Sequence, residues 1–248
     1  MASYSGRGVH GQVVQHLGLR IVGGEFAEGD ILDIRVIGAE LDVSLTAMRE
    51  ALKVLAGKGL IDARQKRGTF VRARSAWNLL DPDVIRWRTE GGDSEQLMHD
   101  LADVRSIVEP AAAHRAALRR TEADLAALDT ALSRMADARG DSAAAADADA
   151  AFHRALLNST GNELLGRLDL LLEPGLRERD RLVHAHLVAD PVPSHRAVLD
   201  AVRDRDAPRA QAAMLDLLAQ ASEDFGRVAP KLPGPGRPEA CEERAPGT

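Results

Sequence analysis

Apolar residues recur at helical spacing three times within the first 60 residues. The first stripe runs over residues 8–22 and consists of Val9, Val13, Leu17 and Ile21. A short helical stretch follows over residues 35–42. A third helix is expected to begin after Ser44, a favourable N-cap residue, and to end at Gly57 and Gly59. Two short consecutive helices joined by a tight turn predict a helix-turn-helix.

Two short β-like runs, LIDAR and TFVRA, come after the third helix, and the QKRG between them is typical of a turn. Three helices followed by a basic hairpin predict a winged helix-turn-helix domain, with the hairpin as the wing. We place this domain at residues 1–75.

Only helical patterns follow, broken by Gly, Pro and capping residues. A linker and short helix are expected at 76–92, with Asp81 as the cap and Pro82 at the first helical position. An all-α helical bundle should occupy 93–227, and its first long helix contains Pro110. The Pro/Gly-rich residues 228–248 predict a disordered tail. The expected fold class is mainly α.

Composition bears on the fold class and on the cellular compartment of the protein. Aromatic residues make up 3% of the 248 residues, which favours packing of helices on helices over a large sheet. The single cysteine, Cys241, excludes an intramolecular disulfide and a cysteine-based metal cage. The chain contains neither a long apolar run nor a signal peptide, so we expect a cytoplasmic protein without a membrane partner.

Charge is segregated along the chain, whose formal net charge is −6. Residues 1–72 carry 10 Lys and Arg against 8 Asp and Glu, and the remainder carries 22 against 30. A basic run near the hairpin contains Arg64, Lys66, Arg67 and Arg72. Such a run fits DNA contact, although a solvated basic face is the other interpretation.

The second helix of the helix-turn-helix carries Ser44, Thr46 and Arg49 at its N-terminal end. Side chains at this end can enter a major groove, and the positive helix end favours phosphate. The predicted wing tip would bring Lys66 and Arg67 beside the DNA backbone or minor groove.

The run VS-x-T-x-x-REAL, followed by GLI and GTFV, resembles the DNA-binding domain of the GntR family of bacterial repressors. The resemblance covers the whole N-terminal domain. By it, six positions are expected to contact DNA or shape the wing: Arg35, Ser44, Thr46, Arg49, Arg64 and Gly68. Leu32, Ile34 and Leu45 depart from the family pattern. Because Leu45 replaces an arginine, an altered operator or weaker binding is expected.

Asp149 and His153 lie four residues apart on a predicted helix and therefore share one face. The two side chains could hold one metal ion. A hydrogen-bonded pair inside a helical bundle explains the same spacing.

The run D-x-x-F-H-x-x-L-x-x-S-T-G-N, with R-x-x-x-E-P before it, resembles the FCD domain of the FadR subfamily over residues 95–226. The resemblance implies a divalent metal, zinc or nickel, on Asp149, His153 and His195, and a carboxylate ligand beside it. Leu217 stands where the family has a fourth ligand, a histidine. Three N and O ligands still suffice when water or effector completes the shell. His184 or His186 could substitute, although exposed histidines are the other interpretation.

Arg105 occupies the arginine of the R-x-x-x-E-P match, where the family directs a guanidinium into the effector pocket. The alternative is a surface pair of Arg105 with Glu109, one helical turn away. Asn162 could bind the effector or cap a helix. The linker run W-N-x-L-D-P-D-V-I-x-W is similar to that of sugar-acid-responsive, galactonate-type members, so a sugar acid is the first expectation.

These features predict a homodimeric transcriptional repressor that binds double-stranded operator DNA and responds to a small carboxylate or sugar acid, and not an enzyme. Two alternatives stay open. A metal-dependent hydrolase or lyase could use Asp149, His153 and His195 but leaves the wing unexplained. A sequence-indifferent DNA-organising protein would be basic overall, whereas this chain is acidic.

Overall fold

The computed structural model is mainly α-helical, as expected from the sequence. It describes residues 9–64, 68–91, 94–138, 140–169 and 190–228. The only sheet within these ranges is a two-stranded antiparallel hairpin. No helix in the described part of the chain is both long and apolar enough to cross a bilayer.

The N-terminal domain contains three helices followed by the hairpin. Its elements are α1 (Val9–Val22), α2 (Ile34–Glu40), α3 (Leu45–Gly57), β1 (Ile61–Arg64) and β2 (Gly68–Val71). Asp33 caps α2 by accepting hydrogen bonds from the backbone of residues 35 and 36. The helix ends two residues earlier than the pattern predicts, and Asp42 after it has φ of 50°. Ser44 caps α3, which confirms the predicted start of that helix.

The core of this domain lies between α1, α3 and the hairpin. Its most buried side chains are Leu17, Ile21, Met48, Leu55 and Leu60. The hairpin pairs Ile61 with Val71 and Arg64 with Gly68. The buried Ile61–Val71 end closes the core, and the exposed Arg64–Gly68 end projects from it. Gly68 has φ of 85°, a left-handed conformation that glycine adopts without steric cost.

The predicted linker is a structural element of both domains. After a 3₁₀ turn at Arg74–Ala76, helix α4 (Pro82–Glu90) begins with Asp81 as its N-cap, as predicted. Val84 and Trp87 of α4 belong to the N-terminal core, and the Trp87 indole N–H donates to Gln15 Oε1 over 2.5 Å. Ile85 instead packs among residues of the helices that follow. Residues 82–90 are therefore packed into the cores of both domains and are not an exposed linker.

The C-terminal domain is a helical bundle in the described residues. Its helices are α5 (Ser94–Arg119), α6 (Glu122–Asp137), α7 (Ser142–Asn158), α8 (Glu163–Gly166), α9 (Val192–Arg203) and α10 (Ala207–Val228). Helix α5 continues through Pro110. It packs against α10, while α6 packs against α7 and α9 against α10. Thr121 and Asp141 cap α6 and α7 by accepting hydrogen bonds from backbone N–H groups of the first turn.

Alanine and leucine fill the bundle core, where small side chains let helices approach closely. Its fully buried members include Ala113, Ala116, Leu128, Phe152 and Leu156. Leu217 of α10 lies in the same cluster, at 3% exposure. The predicted tail lies outside the described residues except for Val228, which ends α10, and Cys241 lies outside them as well.

Candidate functional site

The residues expected to contact DNA that the structure describes are exposed on α2, α3 and the hairpin. They are Arg35, Ser44, Thr46, Arg49, Arg64 and Gly68. Lys66 and Arg67, the predicted wing tip, lie outside the described residues. DNA contact by each of these side chains stays a prediction.

The N-terminal end of α3 presents polar groups outward. Ser44 Oγ accepts a hydrogen bond from Ala47 N–H over 3.2 Å, which leaves the hydroxyl hydrogen to donate to a phosphate. Arg49, one turn further, has no ion pair within the described ranges. Leu45 between them is 53% exposed, so an apolar side chain stands on the surface that should face DNA.

Arg64 extends from the end of β1 toward the wing. Its guanidinium carbon lies 5.4 Å from the centre of the Phe70 ring, and Nε lies 3.5 Å from Asp62 Oδ2. Stacking on the Phe70 ring and the contact with Asp62 both orient the guanidinium.

Three helices bring a second, buried cluster together inside the bundle. Asp149 and His153 lie one turn apart on α7, and His195 reaches them from α9. One potential ligand atom from each lies within 4.8 Å of the others, and all three side chains are buried. The structure therefore brings together the three residues predicted to bind a metal.

Hydrogen bonding orients the ring of His195. Its Nδ1 lies 2.8 Å from the Pro191 carbonyl oxygen, an acceptor, so the ring proton belongs on Nδ1. The lone pair on Nε2 then points into the cluster, 2.9 Å from Asp149 Oδ1 but without a hydrogen bond. Two electron-rich atoms facing each other in a buried site fit a shared cation.

Arg105 and Glu109 of α5 complete the cluster from the other side. Arg105 Nε donates to Glu109 Oε1 over 2.8 Å, and Arg105 Nη2 lies 3.0 Å from His153 Nε2. Glu109 Oε2 lies 2.9 Å from His153 Nδ1. The pairing of Arg105 with Glu109 is thus real, but placing the pair on the surface is wrong, because both side chains are at most 5% exposed.

Burial and charge set the protonation of this cluster. Burial would raise the pKa of Glu109, but the charge of Arg105, the nearby His153 and the hydrogen bonds from Arg105 outweigh it and lower that pKa to about 2. Burial lowers the pKa of His153, and Arg105 adds to that effect against the opposing carboxylates Glu109 and Asp149. At neutral pH Glu109 is therefore ionised and His153 neutral, the form in which histidine ligates metal.

The donor set fits a divalent ion that prefers imidazole and carboxylate ligands. Asp149, His153 and His195 would hold it, with further positions left for water or a ligand oxygen. Glu109 lies beside the far nitrogen of a histidine ligand, as outer carboxylates in metal sites do.

Asn162 has the capping role that the sequence left as an alternative. Its Oδ1 accepts hydrogen bonds from the backbone N–H of Leu164 and Leu165, at the start of α8. No hydrogen bond within the described residues joins Asn162 to Arg105 or His153. Effector binding by Asn162 stays a prediction.

Glu109 belongs to this buried cluster, whereas the sequence predicted for it only a surface pair with Arg105. The signal was available in the spacing of α5, because Leu101, Arg105, Glu109, Ala112 and Ala116 follow the helical repeat on one stripe. The apolar members of that stripe are buried, so a charged pair on it must be buried as well.

Comparisons with known proteins agree with this architecture. The sequence model of the gntR family of bacterial regulatory proteins matches residues 10–71, and that of the FCD domain matches residues 100–220. The galactonate operon transcriptional repressor of Escherichia coli (strain K12) is 33% identical over 221 residues, covering 88% of this chain and 96% of the relative. The HTH-type transcriptional regulator LutR of Bacillus subtilis (strain 168) is 33% identical over 204 residues, covering 79% and 91%.

A solved structure described as Streptococcus agalactiae GntR has the same fold. It aligns with a TM-score of 0.50 at 24% identity, covering 86% of this chain and 99% of that one. The relatives give no support to a hydrolase or lyase, because the family consists of transcription regulators and not of enzymes. The chain belongs to the GntR family of bacterial regulatory proteins and combines that family's DNA-binding domain with an FCD domain.

Proposed function

We propose that this regulator is a homodimeric repressor whose affinity for operator DNA is set by a small carboxylate, with sugar acids as the first candidates. The observation that carries the proposal is the buried cluster of Arg105, Glu109 and His153 beside Asp149 and His195. Burying charged groups inside a bundle costs free energy, so a buried charged cluster is a candidate binding site, and the FCD domain is an effector-binding domain.

The charge of the cluster determines what it can bind. With both histidines neutral, as metal ligands must be, Arg105 is outweighed by Glu109 and Asp149, and the net charge is −1. A cluster with this net charge repels a carboxylate. A divalent ion would supply the positive charge that makes the net charge +1, and an acid could then bind with its oxygens toward Arg105.

The expectation of a sugar acid rests on two supports. The linker run is similar to that of galactonate-type members, and one relative is named for the galactonate operon. Hydroxyl groups next to the carboxylate would also suit a site whose polar atoms come from imidazole, carboxylate and guanidinium.

Helix α4 offers the physical route between effector and DNA. Ile85 packs in one cluster with Ala112 of α5 and Leu157 of α7, the helices that carry Arg105 and His153. Trp87, on the same helix, is buried in the DNA-binding domain. A shift of α5 against α7 on effector binding would move α4 and with it the spacing of the two recognition helices on a near-palindromic operator.

The direct test combines a thermal-shift screen with DNA binding. Sugar acids and simple carboxylates are added to the full chain with zinc, with nickel or with chelator, and compounds that stabilise it are tested by fluorescence anisotropy on its own promoter DNA. We expect stabilisation only with metal and release of the DNA by the same compound. Stabilisation that survives chelator would remove the metal from the mechanism.

The DNA-binding assignment is tested separately. Arg49→Ala should abolish specific operator binding yet keep the thermal stabilisation by effector, because Arg49 is exposed on α3. Arg209→Ala, an exposed arginine of α10, is the matched control and should bind the operator normally. Unchanged operator affinity of Arg49→Ala would show that the recognition helix is assigned wrongly.

A further inference from the structure

Helix α5 carries an exposed apolar stripe on the side away from Arg105 and Glu109. Ile107 is 74% exposed and Leu118 is 59% exposed, and Ala111 lies between them. Spacings of four and seven residues put these three side chains on one helical face over three turns. Leu215 of the neighbouring helix α10 is 47% exposed. Large apolar side chains exposed along one helix face are a candidate interaction site.

A groove runs beside this stripe, between α5 and α10. Its volume is about 530 Å³, and its lining is Ala111, His114, Arg115, Leu118, Arg119 and Gln211. Nδ1 of His114 is buried there without a hydrogen-bond partner in the described part of the chain. The face therefore presents a projecting side chain, Ile107, and one turn further along a groove that could receive one.

We infer that this face of α5 binds the same face of a second copy of this chain, with the two α5 helices antiparallel about a two-fold axis near Ala111. A two-fold interface must be self-complementary, so each projection needs its recess on the same surface. Ile107 and Arg115 are equidistant from Ala111 along the helix. Ile107 of each copy thus meets the groove of the other. This inference rests on the homodimer of the proposed function and names its contact surface.

Charge favours the antiparallel arrangement over a parallel one. Asp103 is exposed toward the N-terminal end of the stripe, and Arg115 and Arg119 are exposed toward its C-terminal end. None of the three has an ion pair among the described residues. Antiparallel pairing brings the acidic end of each helix to the basic end of the other, whereas parallel pairing would oppose arginine to arginine.

Disulfide cross-linking tests the geometry of the pair. In a Cys241→Ser background, Ile107→Cys and Arg115→Cys are made in separately tagged full-length chains. We expect a disulfide between the two tags after mixing and mild oxidation. Ile107→Cys alone should not cross-link, because the two copies of residue 107 would lie about 12 Å apart along the helix axis. Leu164→Cys, also exposed, is the control and should give no cross-link with either.

A charge placed in the interface tests its contribution. Ile107→Glu should raise the dimer dissociation constant at least about 100-fold in sedimentation velocity, with unchanged helicity and zinc binding. Leu164→Glu should remain as dimeric as the wild type. A dimer that survives Ile107→Glu would overturn the contact surface while leaving the homodimer intact. A wild type that is monomeric with and without operator DNA would overturn the homodimer as well.

Discussion

Nη2 of Arg105 lies 3.0 Å from Nε2 of His153, the nitrogen that faces Asp149. Glu109 on the opposite side of the ring favours a proton on Nδ1 and leaves the lone pair on Nε2. A lone pair that accepts from a guanidinium cannot bind a metal at the same time. Arg105 and a metal therefore compete for His153, and occupation of the site by a metal would release Arg105 toward an incoming carboxylate.

This competition predicts opposite effects for two neighbouring substitutions. Arg105→Gln removes the competing donor and a repelling charge, so zinc affinity should rise about tenfold while stabilisation by effector is lost. Glu109→Gln removes the carboxylate beside the ligand ring and should weaken zinc binding about 10- to 100-fold. Isothermal titration of zinc into each full-length variant measures both changes. Equal affinity in the two variants would contradict the competition.

The metal-free protein should lose stability in two steps as pH falls. The pKa of His153 is lowered by folding, so the unfolded chain binds more protons and stability declines below about pH 6.5. The pKa of Glu109 is lowered to about 2, so a further loss on the order of 3 kcal/mol follows between about pH 4.5 and pH 2. Urea unfolding in chelator across this range measures both steps. His153→Gln should lack the first, and a wild type equally stable at pH 7 and pH 5 would contradict it.

The sequence predicts where the helices begin but not which residues of different helices contact each other. Caps such as Ser44, Asp81 and Thr121 act through the backbone of their own first turn, so local pattern predicts where α3, α4 and α6 begin. The linker was a different case. That Trp87 enters the N-terminal core depends on Gly18 and Gln15 of α1, and no local spacing encodes either partner.

The candidate metal residues could be predicted only in part from spacing. Asp149 and His153 share a helix face by periodicity, whereas His195 comes from α9 and reaches them only through the packing of the bundle. The resemblance to the FCD domain supplied that third residue. Neither route predicted that Arg105 contacts His153, because this contact depends on the distance between α5 and α7.

The missing fourth ligand can be tested by restoring it. Leu217 is buried in the bundle core in place of a histidine expected from the family. If the family geometry applies, Leu217→His should raise zinc affinity by at least about tenfold. Without metal the variant should be less stable, since a polar imidazole replaces an apolar aliphatic side chain in the core. Leu218→His, next to it, is the control. A gain in zinc affinity by both variants would indicate unspecific binding.

Replacement of Leu45 by arginine should increase the affinity for DNA. It is exposed at the first position of α3, where the family has an arginine. Leu45→Arg should tighten binding to promoter DNA and, if the guanidinium contacts phosphate, steepen the salt dependence by about one counterion. Leu45→Gln, without charge, should leave the slope unchanged. Fluorescence anisotropy over a series of salt concentrations measures both. An affinity unchanged by the arginine would mean that this position does not contact DNA.

The close packing of α4 against α1 requires glycine at residue 18. A Cβ atom at Gly18 would lie 2.6 Å from three carbon atoms of the Trp87 ring, which is fully buried and held by Gln15. Because neither group can move freely, Gly18→Ala should destabilise the protein by about 1–3 kcal/mol in urea unfolding. Gly57→Ala, at the end of α3, would meet nothing within 4 Å and should stabilise by about 0.5–1 kcal/mol.

Since Trp87 and Ile85 share α4, Gly18→Ala should also weaken the effect of effector on operator affinity. A variant as stable and as responsive as Gly57→Ala would show that the signal does not pass through this contact.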